Sequence, residues 1–245
     1  MGQHGKHRSL VIRHAAFVLT ACLMSAGPAL AECRLALLLA VDVSNSVDRR
    51  EDILQRNGLA DALLAPEVAD AVFASDFNVA LAAFEWSGRH HQQILLDWTM
   101  LNDPTHLQAA SDRIRASQRG QVDFPTAIGA ALEFGAKMFD HAPPCLAQTL
   151  DMAGDGKNND GDEPVVAYAN PAYDNVTVNG LVVRVVELEM DPGVAAYYRS
   201  DVIRGPGSFV EISQGFEDYE RAMQRKFERE LAPAMIGSLS QGTQG

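Results

Sequence analysis

The stretch that decides the fold is LALLLAVDVSNS, residues 35–46, in which seven consecutive apolar residues are followed at once by small polar ones. An unbroken apolar run of this length is typical of a strand buried on both faces, as in a parallel sheet. Ligands of such sheets bind beyond the carboxyl ends of the strands. Asp42, Ser44 and Ser46 therefore lie where a binding site is expected.

Working outward from this strand, apolar segments with strand and helix patterns alternate along the chain. Further strands are predicted over 77–84, 94–98, 148–153 and 209–212, with one or two more over 175–178 and 181–186. Helices are predicted from Asp48, over 105–116, over 126–139 and from 216 to about 232. Asp48 and Glu51 form a capping-box pattern at the first helix. This alternation, without an internal repeat or a linker, predicts a doubly wound α/β fold.

Residues 1–31 have the composition of a secretory signal peptide. Three basic residues and no acidic one accompany an apolar run over 15–26, and small residues precede a cleavage point after Ala31. The run is too short to span a bilayer, so we expect a periplasmic or secreted protein. The alternative is a lipoprotein anchored at Cys22, because Leu19–Cys22 resembles a lipobox.

Cleavage leaves one domain, predicted over 32–237, and a small polar tail over 238–245 that we expect to be disordered. The full chain has 20 basic and 32 acidic residues, and cleavage removes three of the basic ones. The remaining 17 basic and 32 acidic residues give a net charge of −15. Nucleic acids and anionic membranes repel such a protein, so neither is expected as a partner. Cations and basic protein surfaces remain compatible.

Two further polar features accompany Asp42, Ser44 and Ser46. Thr126 opens a predicted helix, and Asp155 lies in a glycine-flanked turn after a predicted strand. Together the five residues offer two carboxylates and three hydroxyls, a hard oxygen set that suits Mg²⁺, Mn²⁺ or Ca²⁺ and is poor for Zn²⁺. The alternate spacing of Asp-x-Ser-x-Ser lets a loop turn those three side chains toward one point.

Other interpretations of the same residues are possible. Asp, Ser and Thr are also common caps of helices and turns. Asp42 could be the nucleophile of a metal-assisted phosphohydrolase, but phosphatases with a strand followed by Asp need a second Asp two residues later as general acid. Ser44 occupies that position and cannot transfer a proton near neutral pH. We therefore expect a protein that is not an enzyme.

The Asp-x-Ser-x-Ser pattern, the distant Thr and the later Asp-Gly resemble the metal-ion-dependent adhesion site of von Willebrand factor A domains. Five blocks, in order along residues 33 to 235, are similar to an uncharacterised bacterial family of that class, domain of unknown function 1194. These blocks are Ala40–Asp48, Phe84–Gly88, Gly154–Asn159, Val178–Leu181 and Val202–Val210.

The resemblance implies a Rossmann-like, mostly parallel sheet with one divalent cation at its C-terminal edge. It assigns as ligands Asp42, Ser44, Ser46, Thr126 and Asp155. It further implies a protein partner that presents an Asp or Glu to the metal. In this fold the first strand and the strand before Asp155 are parallel neighbours, so Cys33 and Cys145 fall at the same level, and we predict a disulfide between them.

Overall fold

The computed structural model describes residues 1–2, 33–120, 123–184 and 193–232. The chain divides into two units, Met1–Leu30 and Ala31–Gly245, and the strands and helices given below belong to the second. The predicted cleavage after Ala31 and the predicted tail over 238–245 lie outside the described residues. None of the described helices is long and apolar enough to cross a membrane.

One central sheet organises the domain. Its strands are β1 Cys33–Asp42, β2 Asn78–Trp86, β3 Gln92–Leu101, β4 Cys145–Gly154, β5 Val176–Val183 and β6 Val210–Ser213. They lie in the order β3-β2-β1-β4-β5-β6, and every neighbouring pair is parallel except β2 and β3. The predicted doubly wound, mostly parallel α/β fold is confirmed.

Helices cover both faces of this sheet. The α-helices are α1 Arg49–Leu63, α2 Pro66–Val72, α3 Pro104–Ala116, α4 Ile128–Phe139, α5 Pro164–Ala167, α6 Gly193–Tyr197 and α7 Tyr219–Leu231. Residues of α1, α2, α3 and α7 pack together on one face. Residues of α4 and α5 pack on the other, with a π-helical turn, Tyr198–Val202, that directly follows α6.

The apolar run of β1 supplies both cores. Leu37 and Leu39 belong to the cluster beneath α1, α3 and α7, whereas Leu38 and Ala40 belong to the cluster beneath α4. Side chains alternate between the two faces of a strand, so only a continuous apolar run can serve two cores at once. The prediction of a strand buried on both faces is confirmed.

The observed strands differ from their predicted bounds, and two of these differences follow directly from strand pairing. The strand predicted over 94–98 runs over Gln92–Leu101, because its antiparallel pairing with β2 continues through two polar residues before the predicted strand and three residues after it. The segments predicted over 175–178 and 181–186 form a single strand, β5, because the pairing with β4 continues through Asn179 and Gly180. Residues 185–186 lie outside the described part of the chain.

The helix predicted from Asp48 is present with its capping box. Asp48 accepts a hydrogen bond from the Glu51 amide at 2.8 Å, and its own amide donates to Glu51 at 2.7 Å. The helix predicted from Thr126 begins at Ile128, with Ala127 as the residue before its first turn. Thr126 therefore does not cap this helix, and it lies in the preceding loop.

A buried ionic cluster attaches α7 to the sheet. The Lys226 ammonium lies 2.7 Å from the carboxylate of Asp151 on β4 and 2.5 Å from that of Glu230, and it is fully buried. Asn179 on β5 donates to the same Glu230 carboxylate at 2.7 Å. Charges removed from water are stable only when paired in this way, so the cluster fixes where α7 lies on the sheet.

The predicted disulfide is present. Cys33 and Cys145 are direct partners in the β1–β4 register, with their α-carbons 4.4 Å apart, and their sulfurs are bonded. The bond joins the first and fourth strands across a sequence separation of 112 residues. It therefore closes a long loop of the unfolded chain.

We expect replacement of both Cys33 and Cys145 by Ala to lower the free energy of unfolding by about 2–4 kcal/mol, because the unfolded chain regains the entropy of that loop. Urea denaturation under oxidising conditions measures the difference. Reductant should bring the wild-type protein to the level of the variant and leave the variant unchanged. A variant as stable as the oxidised wild type would contradict this role of the bond.

Candidate metal centre

The five predicted ligand residues lie together at the C-terminal edge of the sheet, between β1 and β4. The chain leaves β1 toward β2 on one side and β4 toward β5 on the other, so a crevice opens where the two connections diverge. Asp42 ends β1 and Asp155 directly follows β4. Ser44 and Ser46 follow in the first loop, and Thr126 enters from the loop before α4.

Hydrogen bonds connect these side chains into one cluster. The Ser46 hydroxyl donates to Asp155 Oδ1 at 2.7 Å and lies 3.2 Å from the Ser44 hydroxyl. Thr126 donates to Ser44 Oγ at 3.3 Å, and the Ser44 amide donates to Asp42 Oδ1 at 2.7 Å. The structure thus brings all five residues together, and their role as metal ligands stays a prediction.

The two carboxylates of the cluster are buried close to each other. Asp42 is 0% exposed and Asp155 4%, and Oδ2 of each is buried without a hydrogen-bond partner among the described residues. Burial, and then the proximity of Asp155, raises the pKa of Asp42 to about 8, and burial also raises the pKa of Asp155. Two free carboxylate oxygens beside three hydroxyls fit a hard divalent cation.

The centre is buried at its base and open at one side. Asp42, Ser44 and Thr126 are buried, whereas Ser46 is exposed. In the described part of the chain, no group of three or more His, Cys, Asp or Glu side chains could hold a metal ion. A cation at this edge of the sheet would therefore depend on the hydroxyls as well as on the two carboxylates.

Arg119 holds the loop that carries the two serines. Its Nη2 donates to three carbonyl oxygens, those of Val43 at 2.9 Å, Ser44 at 3.2 Å and Val47 at 2.7 Å. These bonds satisfy backbone groups and leave the ligand side chains free to face the crevice. Sequence reasoning missed Arg119, because its partners are backbone atoms some seventy positions away and no spacing pattern marks it.

A buried ion pair holds the segment that carries Arg119. Glu85, near the end of β2, accepts a hydrogen bond from the Gly120 amide at 2.6 Å and is paired with Arg56 of α1. Arg56 also lies 2.9 Å from Asp52, and all three charged side chains are buried. The ion pairs of Arg56 therefore connect α1 and β2 to the loop that supports the candidate centre.

Asn159 holds Thr126 from the loop after β4. Its side-chain oxygen accepts a hydrogen bond from the Thr126 backbone amide at 2.9 Å, and its backbone amide donates to the Thr126 carbonyl at 2.9 Å. This two-way contact fixes the backbone of Thr126 against the loop that contains Asp155. Sequence reasoning placed Asn159 in the block Gly154–Asn159 but assigned it no role, since the contact depends on folding two distant loops together.

Comparisons with known proteins agree with this architecture. The family model described as "Protein of unknown function (DUF1194)" matches residues 32–235. No protein of curated function matches the chain. The family match covers the blocks on which the resemblance of the sequence was based.

Solved structures with similar folds are von Willebrand factor A domains and larger proteins. A von Willebrand factor type A protein from Catenulispora acidiphila has a TM-score of 0.53 at 15% identity and aligns over 82% of this chain and 42% of its own. Proximal thread matrix protein 1 from the mussel byssus, with a zinc-occupied MIDAS motif, has a TM-score of 0.55 at 13% identity. It aligns over 81% of this chain and 46% of its own. The pilus adhesin SpaC from Lactobacillus rhamnosus GG, in its open conformation, has a TM-score of 0.58 at 10% identity. It aligns over 81% of this chain and 30% of its own.

The chain thus spans less than half the length of each of these solved chains, and at such low identity the likeness extends to the fold alone. The family match is of a different kind, since it runs through nearly all of the described domain. The chain belongs to the DUF1194 family of proteins of unknown function, and its fold is that of a von Willebrand factor A domain.

Proposed function

We propose that this protein is an exported binding module in which a divalent cation, Mg²⁺ or else Mn²⁺ or Ca²⁺, takes a carboxylate from a protein partner. The ligands of the cation are Asp42, Ser44, Ser46, Thr126 and Asp155. The observation that carries the proposal is the pair of buried carboxylate oxygens that have no hydrogen-bond partner in the described part of the chain, set among three hydroxyls in the crevice between β1 and β4. A bound cation compensates both charges.

The partner acid follows from the same set of donors. The three hydroxyl ligands are neutral, so the cation keeps a strong affinity for a further anionic oxygen. Ser46 is exposed, and a partner side chain reaches the cation on that side. The net charge of −15 on the mature chain repels broadly acidic surfaces, so the Asp or Glu is presented by a neutral or basic surface.

Two of the structural neighbours support an adhesion-type role. One carries a metal in its MIDAS motif and the other is a pilus adhesin. One is a thread matrix protein of the mussel byssus and the other an adhesin of a pilus, and the predicted signal peptide exports this chain. The zinc of the byssus protein makes Zn²⁺ a necessary test ion, although oxygen donors favour harder cations.

The buried position of Asp42 favours binding over phosphate ester hydrolysis. A nucleophilic carboxylate must reach a substrate phosphorus, but Asp42 is 0% exposed and its Oδ1 accepts the Ser44 amide. Ser44 occupies the place where a phosphatase of this type needs its general acid. Sustained hydrolysis of a phosphate ester that is abolished by Asp42→Ala would contradict the proposed function.

Calorimetric titration with Mg²⁺, Mn²⁺, Ca²⁺ and Zn²⁺ tests the metal site. We expect one binding event in the wild-type protein and its loss in Asp155→Asn, which keeps the shape of the side chain and removes its charge. Asp140→Asn, an exposed change at the far end of α4, is the matched control and should bind like the wild type. A wild-type protein that binds none of the ions, or an Asp155→Asn variant that binds normally, contradicts the proposal.

Without metal, we expect Asp155→Asn to be more stable than the wild type by about 1–2 kcal/mol, because it removes one of two buried carboxylates that repel each other. Thermal unfolding in EDTA at about pH 9, above the pKa of about 8 for Asp42, measures the difference. Saturating cation should reverse the order, since only the wild type gains stability from binding. A variant that is less stable in EDTA would contradict the view that the free site is destabilising.

A further inference from the structure

Tyr198 is a fully buried residue that reaches the candidate centre from the face covered by α4. It is the first residue of the π-helical turn Tyr198–Val202, and its side chain packs in the core cluster on that face. Its hydroxyl is buried and has no hydrogen-bond partner among the described residues. A π-helical turn is a rare conformation that is frequently found at functional sites.

Two glycines on adjacent strands leave room for this side chain. A Cβ atom at Gly180 of β5 would lie 2.8 Å from Tyr198 Cδ1, and one at Gly154 of β4 would lie 2.5 Å from the Tyr198 hydroxyl oxygen. Both separations are too short for any real side chain. Glycine weakens a strand, so two of them beside one ring indicate that the position of this tyrosine is maintained at a cost in strand stability.

The Tyr198 hydroxyl lies beside the free oxygen of Asp42. The same Cβ position at Gly154 is 2.9 Å from Asp42 Oδ2, so this oxygen and the hydroxyl border one small space. Both atoms are buried, and neither has a hydrogen-bond partner within the described ranges. A buried donor and a buried acceptor each destabilise the fold when unpaired, and they lie where one can satisfy the other.

We propose that Tyr198 is a positioning residue of the metal centre, whose hydroxyl donates a hydrogen bond to Asp42 Oδ2, directly or through one water, when a divalent cation is bound. The inference rests on the proposed function. The Ser44 amide already holds Oδ1, so the two donors together fix the carboxylate from both ends. A carboxylate oxygen has two lone pairs, so Oδ2 can accept from Tyr198 and still face the cation.

A hydrogen bond to the carboxylate also favours binding of the cation. It holds Asp42 Oδ2 in the orientation in which it faces the metal, so less conformational freedom is lost when the metal binds. Partners of this kind around metal ligands commonly contribute 10-fold or more to metal affinity.

The test compares two Tyr→Phe variants that remove the same atom. We expect Tyr198→Phe to lower Mn²⁺ affinity about 10-fold, and to keep or raise the melting temperature in EDTA, because the lost hydroxyl forms no hydrogen bond to any residue that the structure describes. Tyr173→Phe is the control: this tyrosine is equally buried, but its hydroxyl donates to the Leu132 carbonyl at 2.5 Å. It should lose thermal stability and keep its Mn²⁺ affinity.

The outcomes separate the inference from the proposed function. A Tyr198→Phe variant that binds Mn²⁺ as tightly as the wild type overturns the role of Tyr198 and leaves the metal site in place. An equal loss of affinity in Tyr173→Phe assigns the effect to packing and also overturns it. A wild-type protein that does not bind Mn²⁺ overturns both the inference and the metal site.

Discussion

The parallel pairing of β1 with β4 is the constraint on which the rest of the molecule depends. Its register runs from Cys33 opposite Cys145 at one end to Val41 opposite Ala153 at the other. The disulfide and the candidate metal centre are therefore the two ends of one ladder. A slip of one residue would turn every side chain of β1 to the opposite face. It would separate the cysteines, expose apolar residues of both cores and direct Asp42 away from the crevice.

Two buried aspartates on neighbouring strands differ in whether the chain itself neutralises their charge. Asp151, in the middle of β4, has an ammonium of the chain itself, that of Lys226, at 2.7 Å. Asp42, at the end of β1, lies near Arg119, but the described bonds of that guanidinium go to three backbone carbonyls. The first arrangement is complete within the fold and fixes α7. The second leaves a carboxylate oxygen for a cation from solution, which is why we interpret it as a binding site and the other as structural.

The residues of the centre that follow a spacing rule could be predicted, and those that hold it could not. Asp42, Ser44 and Ser46 follow an apolar strand at alternate positions, and Asp155 lies in a glycine-flanked turn. The local sequence alone therefore indicates all four residues. Arg119 and Asn159 contact backbone atoms of distant loops, and Tyr198 depends on glycines of two other strands. Such contacts exist only after the sheet has formed. The length of edge strand β3 could not be predicted for a related reason, because its pairing with β2 rather than its apolar pattern sets where it begins and ends.

The most direct measurement is anomalous diffraction from crystals of the protein grown with Mn²⁺. We predict a single strong peak in the crevice between β1 and β4, with the hydroxyl oxygens of Ser44 and Ser46 at coordination distance, about 2.0–2.6 Å. Weaker density on the Ser46 side would mark the position that a partner carboxylate takes. A peak elsewhere on the protein, or none in crystals of a protein that binds Mn²⁺ in solution, would contradict the assignment of this crevice as the metal centre.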